Sequence, residues 1–175
     1  MIPTLRVQDT VLVDVAAYRF AKPHFGDIAV FMPPLPSTVP FIKRVIGVPG
    51  DTIRIAGGVL YRDGHAAYEP YVNEPTAYDL SIAHYDIYID GEPLDPATAD
   101  IPPRRMWQAP DRIPAGFYLV LGDNRNYSDD SHLWGFAQID GPFAAGPLAR
   151  RRVQARFIGR AIMVIWPLAH IRILG

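Results

Sequence analysis

Two segments of this chain hold the residue types that acyl-transfer chemistry needs. Phe41-Ile-Lys-Arg-Val-Ile-Gly-Val-Pro-Gly-Asp51 sets one lysine in an apolar, β-branched run. Gly122-Asp-Asn-Arg-Asn-Tyr-Ser-Asp-Asp-Ser-His-Leu-Trp-Gly-Phe136 is a polar stretch rich in serines and acids. A lysine with its ordinary pKa of about 10.4 is protonated at neutral pH and cannot accept a proton. Burial of Lys43 among Phe41, Ile42, Val45 and Ile46 would disfavour the charged form and make the amine a base. The Ser128 hydroxyl could then orient that amine, accepting from it or donating to it. A neutral amine within hydrogen-bond reach of a serine is a general base for a nucleophile.

Each of these residues also has a plainer reading. A lysine on an exposed edge strand blunts aggregation, and for the strand taken alone that is the commoner case. A serine in a polar loop caps a turn. Asp123, Asp129 and Asp130 stand among asparagine, serine and glycine, where acids more often build loop structure. The five histidines are scattered, without the helical pair a metal site would show. No acid sits in an apolar surrounding of the kind a glycosidase pair requires. Pro49-Gly50 suits a type II turn. It is not a phosphate loop, because the lysine precedes the glycines and no Gly-Lys-Ser/Thr follows.

The elements that would position these residues are strands. The 18 prolines and 14 glycines cut the chain into short units, which disfavours long helices. Residues 11–13, 27–31, 41–46, 117–121 and 161–166 are β-branched or aromatic runs. The last two are nearly continuous, so both faces are expected to be covered. A mostly β, barrel-like core follows, formed by residues 1–56 and 113–175. Residues 57–112 read as an inserted β-hairpin-rich subdomain. Its two Asp-Gly turns, in Tyr61-Arg-Asp-Gly64 and Tyr88-Ile-Asp-Gly91, signal hairpins. A smaller insertion is expected over 139–152, ending in Arg150-Arg151-Arg152, a solvated loop for which lipid contact is the minor alternative.

Composition narrows the function classes. With 49% apolar residues in 175, one domain with a sizeable core is affordable and general disorder is excluded. Seventeen basic and eighteen acidic residues leave a net charge of -1, which argues against a nucleic-acid-binding surface. The absence of cysteine excludes disulfides, thiolate catalysis and cysteine-ligated zinc. Residues 157–174 are the most membrane-like stretch, but Arg160, Pro167, His170 and Arg172 interrupt it. It reads as a buried strand followed by an apolar strip, not as a span of about 20 apolar residues.

Four blocks in order together resemble the bacterial type I signal peptidases, membrane-bound serine-lysine proteases. Met1-Ile-Pro-Thr-Leu5 is similar to the tail of the family's nucleophile motif, Ser-Met-x-Pro-Thr-Leu. Gly26-Asp-Ile-Ala-Val-Phe31 is similar to its next strand. Residues 43–51 carry the general-base motif almost intact. Gly122-Asp-Asn-Arg125, Ser128, Asp130-Ser131 and Trp134-Gly135-Phe136 carry the last one. The resemblance covers most of the core and little of residues 57–112.

The resemblance implies a serine endopeptidase that removes signal peptides from secreted preproteins, without metal or cofactor. It implies a place at the cell membrane, with the catalytic domain on the extracytoplasmic side. Lys43 would be the base and Ser128 its orienting hydroxyl. Arg44, Asp123, Arg125 and Asp130 would support the site. Met1, Leu5, Val30, Phe41 and Ile42 would line pockets for small substrate side chains. Two departures stand out. His132 replaces the family's usual arginine and would hold Asp130 less firmly. The nucleophilic serine belongs directly before Met1, so the 175 residues alone are expected to be inactive. Two other readings are a Ser/Lys peptidase of the conjugative-transfer type and a non-catalytic β module that binds extended peptides.

Overall fold

The computed structural model describes residues 1–33, 37–94, 111–138 and 156–174. The β-rich reading holds throughout them. The strands are β1 (Thr10–Asp14), β2 (Ile28–Met32), β3 (Phe41–Gly47), β4 (Ile53–Ala56), β5 (Val59–Arg62), β6 (His65–Ala66), β7 (Leu80–Ala83), β8 (Asp86–Ile89), β9 (Glu92–Pro93), β10 (Phe117–Leu121), β11 (Ala137–Gln138), β12 (Arg156–Trp166) and β13 (Arg172–Ile173). Two single-turn helices, α1 (Ala17–Phe20) and α2 (Ser131–Trp134), complete the regular elements used below.

The strands form two antiparallel sheets. The first runs β1-β12-β2-β3-β10-β11, with β13 also paired to β12. The second runs β6-β5-β4-β7-β8-β9. Sequence reasoning placed the start of the insertion at residue 57. β4 precedes that point, yet it pairs with β5 and β7 in the second sheet. Both Asp-Gly turns close hairpins, β5 to β6 and β8 to β9. Asp63, Gly64, Asp90 and Gly91 all take positive φ, the conformation a two-residue turn demands there.

One core joins the sheets. Ile46, Phe117, Leu119, Leu121 and Phe136 from the first sheet and its loops meet Ile53, Ile55, Leu60, Leu80, Ile82 and Ile87 from the second. Tyr118 and Val120, on the other face of β10, pack with Ala29, Phe31 and Val45. β10 is therefore buried along its whole length, as its unbroken apolar run requires. The expectation of two covered faces fails for β12. Ile165 is 40% and Trp166 55% exposed, although β1 still pairs alongside through Thr10 and Trp166. Leu168, Ile171 and Ile173 continue this exposed apolar strip. The expected insertion over 139–152, with its arginine triplet, lies outside the described residues.

Candidate active site

Strand pairing decides where Lys43 goes. β2 pairs with β3 through Ala29 and Lys43, and β10 pairs with it only as far as Leu121 and Arg44. Just past that last pair, the chain leaves β10 at Gly122 and loops through residues 125–127 to Ser128. Lys43 Nζ donates to Ser128 Oγ at 2.9 Å. Gly122 permits this approach, since a β-carbon there would overlap the Ser128 hydroxyl.

Lys43 is half-buried in an interior strand, so the exposed-edge reading does not apply. Burial pushes its pKa below the ordinary lysine value, opposed by the negative charges of Asp130 and Asp129. Its Nζ also lies 5.5 Å from the centre of the Phe41 ring. The amino group of Met1 lies within electrostatic range of Lys43. Its pKa is lowered first by burial and then by the charge of Lys43.

The neighbouring charges are paired, unlike Lys43. Arg44 grips Asp123 with two hydrogen bonds, Nε to Oδ1 at 2.9 Å and Nη2 to Oδ2 at 2.8 Å. Arg44 Nη1 donates to the Gly26 carbonyl at 2.9 Å. The Thr4 hydroxyl donates to Asp123 as well and ties the first turn of the chain to this pair. Asp130 accepts from the Gly122 amide at 2.8 Å and caps α2 through the His132 amide. His132 Nδ1 reaches Asp130 Oδ1 at 2.8 Å. A histidine thus does engage the acid, through one ring nitrogen and not a two-pronged guanidinium. Among the described residues, no three His, Asp or Glu side chains converge as metal ligands would.

The chain can now be set beside known proteins. A family described as signal peptidase, peptidase S26, matches residues 1–166. This chain belongs to that family. A signal peptidase I of Leptolyngbya laminosa is 34% identical over 182 residues, covering 100% of this chain and 68% of that one. A probable signal peptidase I-1 of Synechocystis sp. is 38% identical over 143 residues, covering 78% of this chain and 59% of that one. A signal peptidase I of Pseudomonas aeruginosa is 33% identical, covering 95% and 62%. The chain therefore spans about three fifths to two thirds of the length of these relatives.

Within this peptidase S26 chain, the residues singled out from sequence fall into three groups. Lys43 and Ser128 touch. Arg44, Asp123, Arg125 and Asp130 are all buried around them. Met1, Leu5, Val30 and Ile42 share one apolar cluster with Ile28, Ala161 and Val164. Phe41 lies elsewhere, packing with Phe31 and Trp134 in the cluster on the other side of β3. Three residues that sequence reasoning passed over also stand at the site. Glu69, Tyr71 and Tyr78 come from the segment between β6 and β7. No motif marked them, because that segment is where the family blocks are absent.

Proposed function

We propose that this chain is the catalytic part of a Ser/Lys endopeptidase that removes N-terminal signal peptides from secreted preproteins. The observation that carries the reading is the half-buried Lys43 amine, aimed at Ser128 at 2.9 Å and depressed in pKa by burial. Ser128 orients the amine. The nucleophile is a serine joined directly ahead of Met1, whose nitrogen lies within the field of Lys43. Neutral Lys43 takes the proton from that serine as its oxygen attacks the scissile carbonyl. The resulting ammonium returns the proton to the departing amine. Neutral Lys43 then takes a proton from water, whose oxygen attacks the acyl-enzyme ester, and the ammonium returns that proton to the serine oxygen as it leaves.

The substrate enters as an added strand. Among the described residues, the 41–43 end of β3 has no strand partner on its β10 side. An extended peptide can pair there by main-chain hydrogen bonds. Alternate side chains would face the cluster of Met1, Leu5, Val30 and Ile42, where the family resemblance implies a preference for small residues. The exposed strip from Ile165 to Ile173 suits contact with a membrane surface, the place where such preproteins emerge. Among the described residues no helix is long and apolar enough to cross a membrane.

The test is cleavage of a precursor peptide with small residues at alternate positions. A chain carrying one added serine before Met1 should cut it, and Lys43→Met in that chain should abolish cutting without loss of fold. Retained cutting in the Lys43 variant would reject the assignment. Cutting by the 175-residue chain that is lost in Ser128→Ala would move the nucleophile to Ser128. Binding without turnover in the serine-extended chain would favour a peptide-binding module.

A further inference from the structure

The segment linking β6 to β7 belongs to the second sheet, yet it lies against the loop that presents Ser128. Three sets of contacts join them, through Arg125, Asn126 and His132, and a further one ties the segment to Arg44 on β3. Arg125, with a side chain only 1% exposed, is held by both carboxylate oxygens of Glu69, one of them at 3.1 Å from Nη1. Tyr71 donates its hydroxyl to Glu69 Oε1 at 2.8 Å and lays its ring 3.8 Å beneath the Arg44 guanidinium. Asn126 accepts from the Ala77 amide at 2.7 Å and donates to the Pro75 carbonyl at 3.1 Å. The Tyr78 ring stacks on His132, with centroids 4.6 Å apart and planes 12° from parallel.

These contacts bracket Ser128 on both sides in sequence. Glu69 and Asn126 secure the loop before it, and Tyr78 secures His132 after it. His132 in turn holds Asp130, which binds the Gly122 amide. Tyr71 acts on Arg44, the residue next to the base. We propose that Glu69, Tyr71 and Tyr78 are positioning residues for the Lys43–Ser128 pair, so that the second sheet sets the geometry and dryness of the catalytic base. The inference rests on the reading of Lys43 as a neutral base. The physical route is simple. If the strap from 69 to 78 slackens, the 122–132 loop moves outward, water reaches Nζ and the desolvation that favours the neutral amine is relieved.

The chain has two lysines, the exposed Lys22 and Lys43, so side-chain NMR of isotope-labelled lysine reads the ionisation of each in the whole chain without an activity assay. Tyr71→Phe keeps the ring under Arg44 and deletes one hydrogen bond. Tyr78→Leu removes the stack on His132. Neither changes the charge, so a moved Lys43 titration reports geometry and not a lost ion. The expected result is a Lys43 midpoint below the ordinary lysine value in the parent chain, rising by about half a unit in the double variant and less in each single one. If the double variant does not fold, the single variants decide. An unmoved Lys43 midpoint in folded variants overturns the positioning role, even if they melt earlier. A parent chain in which Lys43 titrates at the ordinary lysine value instead rejects the neutral-base reading, and the positioning role with it.

Discussion

Lys43 and Arg44 are neighbours on one strand, and their surroundings could hardly differ more. Arg44 is nearly inaccessible and meets a carboxylate through two parallel hydrogen bonds, a backbone carbonyl and an aromatic face. Lys43 is less buried and meets a neutral hydroxyl. The acids nearest to it, Asp129 and Asp130, act at longer range, and Asp130 already serves Gly122 and His132. A guanidinium this well matched stays charged and holds the fold. An amine that burial destabilises, without a carboxylate in contact, is free to lose its proton. The difference separates a cation that builds from one that reacts.

This contrast can be broken most severely at Asp123. Asp123→Ala strands the Arg44 charge in the interior and should cost about 3–5 kcal/mol, the usual consequence of removing one partner of a buried pair. Urea unfolding measures it, and a loss under about 1 kcal/mol would show that water reaches the pair. Gly122→Ala should cost less, about 1–3 kcal/mol, as overpacking forces the Ser128 loop away. Its sharper signature is in Lys43, whose NMR titration should move up towards the ordinary lysine value as the displaced loop lets water reach Nζ and relieves the burial that lowers it.

The smallest stability effect is expected at Lys43 itself. Lys43→Met keeps the volume and removes an amine that burial penalises, so stability should change by less than about 1.5 kcal/mol and in the favourable direction. Its pH dependence carries the information. The folded pKa lies below the ordinary value of 10.5, so between the two the unfolded chain binds the proton and the folded chain does not. Stability of the parent chain therefore rises with pH through that window. Below the folded pKa the penalty is fully present. The advantage of the methionine variant should be largest there and should shrink as pH approaches 10.5. A pH-independent difference between the two chains would mean that Lys43 titrates alike folded and unfolded.

Much of the site was legible in the chain before any coordinates. The apolar run around Lys43 had to be a strand, and the polar Gly122–Phe136 stretch had to be a loop beside one. What misled was the assumption that an apolar run implies burial on both sides. Residues 161–166 form a strand, but hydropathy alone does not say which of its side chains another element will cover. The boundary drawn at residue 57 split β4 from its partners for a related reason. Pairing is a long-range property, and β4 looks the same in either sheet. Glu69, Tyr71 and Tyr78 escaped notice because each is ordinary by itself. An acid near two tyrosines and several prolines matches any surface turn until Arg125 and Arg44 are brought against it.

Local chemistry along the chain thus determined the residue types at the site: one lysine in a β-branched strand, a hydroxyl in a polar loop, and acids and arginines flanking both. Short-range preferences suffice for that, because strand and turn propensities act over a few residues. Only the tertiary structure decided which charges are cancelled. β10 stops pairing at Arg44, the loop after Gly122 folds over the next residue, and a strap from the second sheet closes around the arginines. Desolvation and Coulomb energy depend on distances between atoms far apart in sequence. The fold, not the motif, makes one of two adjacent cations a base.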